Sequence, residues 1–232
     1  MESPSFTLII PAAGIGKRMG SDTPKPYLML KGKSVLEHTL SCFRGIDSLK
    51  QVIVSTSVSY HDQTSEILNR LFDEVETAVV EGGERRQDSI YNAFQEVSES
   101  IHYVAIHDAV RPFIRAGRIT ECLNATTGTG AAIIGVPVKD TIKQVDTEHI
   151  ISHTPDRSAL WQAQTPQIFR KDLYNQAYNY AIDHNVEVTD DASLFEAAGM
   201  DVRIVEGDRE NLKLTYPVDF RIAEMLVDSI NP

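Results

Sequence analysis

Leu8-Ile9-Ile10-Pro11-Ala12-Ala13-Gly14-Ile15-Gly16-Lys17-Arg18-Met19-Gly20, followed by Pro24-Lys25-Pro26, is the stretch whose reading decides the fold. A hydrophobic strand breaks into a glycine-rich loop, and two isolated cations, Arg18 and Lys25, follow. The small residues Ala12, Ala13, Gly14 and Gly16 let the backbone approach a ligand, and its N–H groups can converge on phosphate oxygens. That is the layout of a triphosphate-binding turn. Gly14, Gly16 and Gly20 are spaced G-x-G-x-x-x-G, which is not the dinucleotide fingerprint G-x-G-x-x-G. A P-loop would need Ser or Thr after Gly16-Lys17, where Arg18 stands. An ordinary strand-to-helix turn with surface cations is the alternative at this point.

The 232 residues suffice for one large α/β domain, and no Pro/Gly/Ser-rich linker divides them. A single domain over 1–232 is expected. The net charge of −11 argues against nucleic acid as a partner, because polyanion binding draws on a broad basic surface. Any anion is therefore expected to bind locally. Cys42 and Cys122 lack a second Cys or His at metal-ligand spacing and read as buried, reduced thiols. No basic-then-apolar leader opens the chain and no apolar run reaches membrane-spanning length, so a cytoplasmic protein with no membrane partner is expected.

Short β-branched runs alternate with amphipathic stretches, the pattern of a mostly parallel twisted sheet with helices on both faces. Strands are predicted at Thr7 to Pro11, Gln51 to Thr56, Thr77 to Glu81, His102 to His107, Ala131 to Val136 and Val202 to Glu206. Ser34-Val35-Leu36-Glu37 reads as a capping box opening a helix to about Arg44. Further helices are predicted at about 62–72, 86–99, 116–124, 171–184, 190–198 and 217–229. In an open parallel sheet, ligands sit at the carboxyl ends of the strands. Three such ends carry polar loops: the glycine turn, Gly82-Gly83-Glu84-Arg85-Arg86-Gln87-Asp88-Ser89, and His107-Asp108-Ala109-Val110-Arg111-Pro112. From Val138 to Trp161, alternating polar and apolar residues flank a turn at Asp146 to His149, which predicts a β-hairpin whose amphipathic strands need cover.

Taken together, these loops resemble the cytidylyltransferases of isoprenoid precursor synthesis, the 2-C-methyl-D-erythritol 4-phosphate cytidylyltransferase family. Pro137-Val138-Lys139-Asp140-Thr141, His153-Thr154-x-Asp156-Arg157, Gln164-Thr165-Pro166-Gln167, Thr189-Asp190-Asp191-Ala192-Ser193, Val205-Glu206-Gly207 and Asn211-Leu212-Lys213 extend the resemblance over nearly the whole chain. It implies a Rossmann-like nucleotidyltransferase fold with the hairpin at 138–161 as a dimerisation arm. It also implies transfer of a cytidylyl group from CTP to methylerythritol phosphate, with release of pyrophosphate. Ribitol 5-phosphate cytidylyltransferase is the nearest alternative; Pro11-Ala12-Ala13-Gly14 and the string from Leu160 to Gln167 favour the former. A nucleotide-binding module without chemistry is a further alternative, but Arg18, Lys25 and Asp108 would be dispensable there.

The resemblance assigns transition-state stabilisation to Arg18 and Lys25. A guanidinium fork can hold two phosphoryl oxygens, and an ammonium supplies a compact charge. It places Pro11, Ala12, Ala13, Gly14, Gly16, Gly82, Gly83, Arg86, Ser89, Asp108 and Ala109 around the nucleotide. Asp108, at a strand end, is the expected hard oxygen ligand for Mg²⁺; helix capping or pairing with Arg111 is its alternative. Thr141, Arg157 and Lys213 correspond to binders of the methylerythritol phosphate, with the arm crossing to a neighbouring subunit in a homodimer. The simpler roles are a salt bridge with Asp156 for Arg157, a solvated position for Lys213, and a surface helix start for Arg86. His107 reads as a structural hydrogen-bonder, and Thr189-Asp190-Asp191 as a helix N-terminus rather than a second metal site.

Overall fold

In the computed structural model, residues 4–14 and 23–230 are described. Eleven strands and seven helices follow in order: β1 (Phe6–Pro11), β2 (Met29–Leu30), β3 (Lys33–Ser34), α1 (Val35–Ser41), β4 (Leu49–Thr56), α2 (His61–Leu71), β5 (Glu76–Glu81), α3 (Arg86–Gln95), β6 (Tyr103–Ile106), α4 (Ala116–Thr129), β7 (Ala131–Pro137), β8 (Gln144–Val145), β9 (Ile151–His153), β10 (Trp161–Arg170), α5 (Lys171–Asp183), α6 (Ala192–Ala197), β11 (Arg203–Glu206) and α7 (Pro217–Ile230).

Seven strands form one sheet in the order β11-β7-β10-β6-β1-β4-β5. β1 pairs in parallel with β4 on one side and β6 on the other, so the chain winds outward through β4 and β5 and then returns across β1. The β1/β6 boundary is therefore the topological switch point, where the loops after the two strands splay apart and leave a crevice. The six strands predicted from β-branched runs are all present, within a residue or two of the expected bounds.

Alternation along β1 divides the core. Phe6, Leu8 and Ile10 face α1, α2 and α4, whereas Ile9 joins Ile53 under α3, α5 and α6. Both groups are fully removed from water, so the middle strands read as continuous apolar runs. The buried Thr7 hydroxyl is satisfied by Gln51 Oε1 at 2.9 Å. A third, smaller cluster packs α7 against Leu30, Val35, Phe113 and Leu214.

Three expectations are corrected. β10 runs antiparallel between β6 and β7, where the sequence pattern predicted no strand. Gln162, Gln164 and Pro166 break the apolar signal there, and the pairing with β7 shifts register between Ala163 and Gln167, which accommodates a proline in a central strand. At α1 only half of the capping box forms: Glu37 N donates to Ser34 Oγ at 3.1 Å, but the Glu37 carboxylate pairs with Arg70 at 2.8 Å. α4 runs on to Thr129, past its expected end near 124. The predicted hairpin is present as β8 paired with β9, outside the main sheet.

Candidate active site

Asp108 stands one residue past His107 at the carboxyl end of β6 and is 7% exposed. Its backbone N–H donates to Thr165 Oγ1 of β10 at 3.0 Å. Three cations surround the carboxylate: Lys213 Nζ lies 2.9 Å and Arg111 Nε 3.2 Å from Oδ2, and Arg86 Nη2 lies 3.4 Å from Oδ1. Burial works to raise the carboxyl pKa, but the three positive charges outweigh it and hold the group well below the usual carboxylate range. Asp108 is thus an anion inside a cationic ring. The Arg111 pairing considered as its alternative role is present, but Arg86 and Lys213 share the same carboxylate.

The segment after β11 closes one side of the site. Arg111 Nη1 donates to Asn211 O at 2.8 Å, Leu214 N to Val110 O at 2.9 Å, and Lys25 Nζ to Thr215 O at 3.0 Å. Lys25 lies in a 3-10 turn over Lys25–Tyr27 and is 9% exposed, so its ammonium is held rather than solvated. Lys213 is half-exposed at this edge and ion-paired. Beside it a cleft of ≈ 290 Å³ is lined by Arg111, Gln164, Arg209, Asn211 and Lys213 among others. Asn211 Nδ2 donates to Gln164 Oε1 and Thr165 O, while its buried Oδ1 has no hydrogen-bond partner. A larger depression, ≈ 680 Å³, lies at the amino end of β6, but its cations are engaged locally, Arg170 with Asp172 and Lys171 with the Val97 and Ser98 carbonyls.

The other wall brings the glycine turn and the Gly82–Ser89 loop into contact. Ala12 N donates to Ser55 O at 2.7 Å and Gly82 N to Thr56 O at 2.9 Å, extending the sheet pattern beyond β1 and β5. A Cβ on Gly82 would collide with the Ala13 Cβ, and one on Gly83 with the Asp88 side chain. Glycine is required here by close approach. Ser89 Oγ accepts from Gly83 N at 3.0 Å, which fixes the turn between β5 and α3. Pro11 ends β1, Ala12 is buried and Gly14 is exposed; Ala109 is buried, and its carbonyl accepts from Thr39 Oγ1 at 2.9 Å. Gly16 and Arg18 lie outside the described residues.

Arg86 bridges the two walls. It reaches Asp108 from the start of α3 and makes its shorter contact, 2.7 Å, with Asp191. Burial disfavours its charge, but Asp191 and Asp108 more than compensate and keep it a firm cation. This excludes a simple surface helix-start role. His107 is fully buried, bonded to Arg111 O and Thr165 Oγ1 at 3.0 Å each, and burial pushes its pKa down to about 4. A neutral imidazole so enclosed is structural, in accord with its reading from the sequence.

The arm residues stand apart. Thr141 and Arg157 are exposed, and Arg157 Nη1 donates to Lys139 O at 2.9 Å. Asp156, its suggested partner, instead accepts from Ser158 N at 3.0 Å. Residues that sequence reasoning left out of the site are Arg111, Thr165, Asp191 and Asn211. Each lay within a quoted motif, but the pairing of Arg86 with Asp191 spans 105 positions of sequence and leaves no local pattern.

An α/β protein wound in both directions from β1, with a cation-ringed acid at its switch point, is built to hold phosphorylated nucleotides. The family profile described as IspD, 2-C-methyl-D-erythritol 4-phosphate cytidylyltransferase, matches residues 6–229. The 2-C-methyl-D-erythritol 4-phosphate cytidylyltransferase of Symbiobacterium thermophilum is 41% identical over 222 residues, covering 96% of this chain and 92% of its own. The crystal structure of 4-diphosphocytidyl-2C-methyl-D-erythritol synthase from Anaerococcus prevotii superposes with a TM-score of 0.86 at 28% identity, covering 98% of this chain and all of that one. That of the Thermus thermophilus cytidylyltransferase gives 0.79 at 31% identity, covering 97% and 99%. The chain belongs to the 2-C-methyl-D-erythritol 4-phosphate cytidylyltransferase family.

Proposed function

We infer that the chain transfers the cytidylyl group of CTP to 2-C-methyl-D-erythritol 4-phosphate, giving 4-diphosphocytidyl-2-C-methyl-D-erythritol and pyrophosphate. The observation that carries this reading is the family match over residues 6–229. The ribitol 5-phosphate alternative is not favoured, because the relatives at 40 and 41% identity bear the methylerythritol phosphate name. A monoester phosphate oxygen attacks the α-phosphorus in line, forming one P–O bond as the bond to the bridging oxygen of the leaving pyrophosphate breaks. A phosphate monoester with a second pKa near ~6 is already largely dianionic at pH 7, so no strong base is needed. The obstacle is the approach of two anions, which makes positioning and electrostatic stabilisation the main catalytic means.

Lys25 and Arg18 take the charge developing on the α-phosphoryl group and pyrophosphate. Pro11 to Gly14, Gly16, Gly82, Gly83, Arg86, Ser89 and Ala109 enclose the nucleotide. Lys213, facing the ≈ 290 Å³ cleft, receives the alcohol phosphate, with Thr141 and Arg157 reaching in from a second copy of the chain. A homodimer follows, with 138–161 as its arm on an otherwise single domain. Val145, Ile150 and Ile151, between 45 and 61% exposed on that arm, are apolar surface such a partner would cover.

Magnesium fits Asp108. Its Oδ2 is held by Lys213 and Arg111, whereas Oδ1 faces Arg86 at the longer 3.4 Å and is the oxygen it would offer to a hard cation. A single carboxylate completed by nucleotide phosphates is a common Mg²⁺ donor set. Among the described residues no cluster of three or more His, Cys, Asp or Glu offers a self-sufficient metal cage. Asp108 would hold the ion, which supplies neutralisation of the triphosphate charge. No helix among the described residues is long and apolar enough to cross a membrane.

The test is pyrophosphate release with CTP and Mg²⁺, comparing methylerythritol phosphate with ribitol 5-phosphate. Turnover with the former and little with the latter is expected. Preference for ribitol 5-phosphate would overturn the assignment.

A further inference from the structure

Thr189-Asp190-Asp191 has the sequence of a helix N-terminus, yet its two acids have different tasks. Asp190 does the capping: its Oδ1 accepts from Ser193 N at 3.1 Å and from Ser193 Oγ at 2.6 Å. The Asp191 side chain makes no capping bond. It is 2% exposed, and its carboxylate points back to the site, accepting from Arg86 Nη1 at 2.7 Å and from the Tyr174 hydroxyl at 3.0 Å. Tyr174 is fully buried among Phe94, Phe169 and Phe195, so the hydroxyl that orients Asp191 is itself fixed by packing.

β10 supports both acids that share Arg86. Gln167 pairs with Ile106 of β6; its Oε1 accepts from the backbone N–H groups of Asp191 and Ala192 at 3.1 and 3.0 Å, and its Nε2 donates to Asp190 Oδ2 at 2.8 Å. Two residues earlier in that strand, Thr165 holds the Asp108 backbone. One strand therefore sets the separation between Asp191 and Asp108, and the guanidinium lies between them, nearer to Asp191. A cation shared between two fixed anions rests closer to the one that binds it better. If Asp191 carried no charge, Arg86 would move onto Asp108 and occupy Oδ1.

We propose that Asp191, oriented by Tyr174, is a positioning residue that holds Arg86 to the longer of its two contacts, 3.4 Å from Asp108 Oδ1, and so leaves that oxygen the weaker-paired one, available to a divalent cation bound with the nucleotide. The proposal rests on the cytidylyltransferase reading and concerns the metal-binding step, which can be measured without turnover. The probe is Mn²⁺ with CTP, followed through the electron paramagnetic resonance signal of free Mn²⁺.

Asp191→Asn preserves size and an acceptor for the Tyr174 hydroxyl but removes the charge. It is expected to raise the Mn²⁺ concentration that half-saturates the protein–CTP complex by about tenfold, the effect of losing one charge-assisted contact. Tyr174→Phe, which keeps the charge and loses only its orientation, is expected to shift it less in the same direction. In an Arg86→Gln background Asp191→Asn should shift it no further, since the carboxylate would have nothing left to hold. An equal shift in that background, or no shift in the parent chain, would overturn the proposal. Wild-type protein that binds Mn²⁺ with CTP yet releases no pyrophosphate would instead contradict the cytidylyltransferase reading and leave the Mn²⁺ comparison valid.

Discussion

The switch-point crevice and the arm are polar regions of the same chain, built in opposite ways. In the crevice, Asp108 and Arg111 are less than a tenth exposed, and each is tied to groups far away in sequence, so their geometry is set by the core. On the arm, β8 and β9 are exposed throughout, and the bonds around them are mostly local, such as Asp146 Oδ1 accepting from Glu148 N and Ile150 N. Preorganised charges save reorganisation at the moment of reaction. An exposed arm has no such advantage until a surface covers it, which is why we propose the phosphate-activating roles for the crevice and a bridging role for the arm.

The sharpest way to break this division is Lys25→Ala. Loss of one preorganised electrostatic partner is expected to cut kcat by about 10²-fold or more, and a near-normal kcat in steady-state assays would remove Lys25 from the mechanism. Next comes Arg157→Ala. A charge-assisted contact to a substrate phosphate is worth roughly 10- to 100-fold in kcat/KM for methylerythritol phosphate, with CTP binding unchanged. A loss of CTP affinity instead would mean that the arm belongs to the nucleotide site. The smallest effect is expected for Gly82→Ala, which drives a methyl into Ala13 and forces the two nucleotide loops apart. We expect a stability loss of about 1 kcal/mol or somewhat more in thermal unfolding, with weaker CTP binding. Unchanged binding would show that the contact between the loops is not what shapes the pocket.

The main-sheet strands from β1 to β6 were legible because they are short apolar runs rich in β-branched residues and their ligand loops follow the strand ends directly, whereas the two-residue β2 and β3 carry no such run. β10 was not, since Gln164, Thr165 and Gln167 are spent on holding Asn211, Asp108 and Asp191 rather than on apolar packing. A strand whose residues serve the site loses the signature of a strand. The candidate residues were readable as types but not as a circuit: nothing local joins Asp108 to Arg86 and Lys213. Asp191 was read as a cap because an acid before a helix usually is one, and only the position of Arg86 in space separates its role from that of Asp190.

The central claim is that each catalytic unit joins a crevice from one chain to an arm from another. Mixing Lys25→Ala and Arg157→Ala chains, unfolded together and refolded, tests it most directly at subsaturating methylerythritol phosphate. In a two-fold dimer, half of the pairs are mixed, and each mixed pair has one site with both residues intact. Activity should therefore rise from the low level of either variant to about a quarter of wild type. Activity that stays at the mean of the two variants would contradict the shared site.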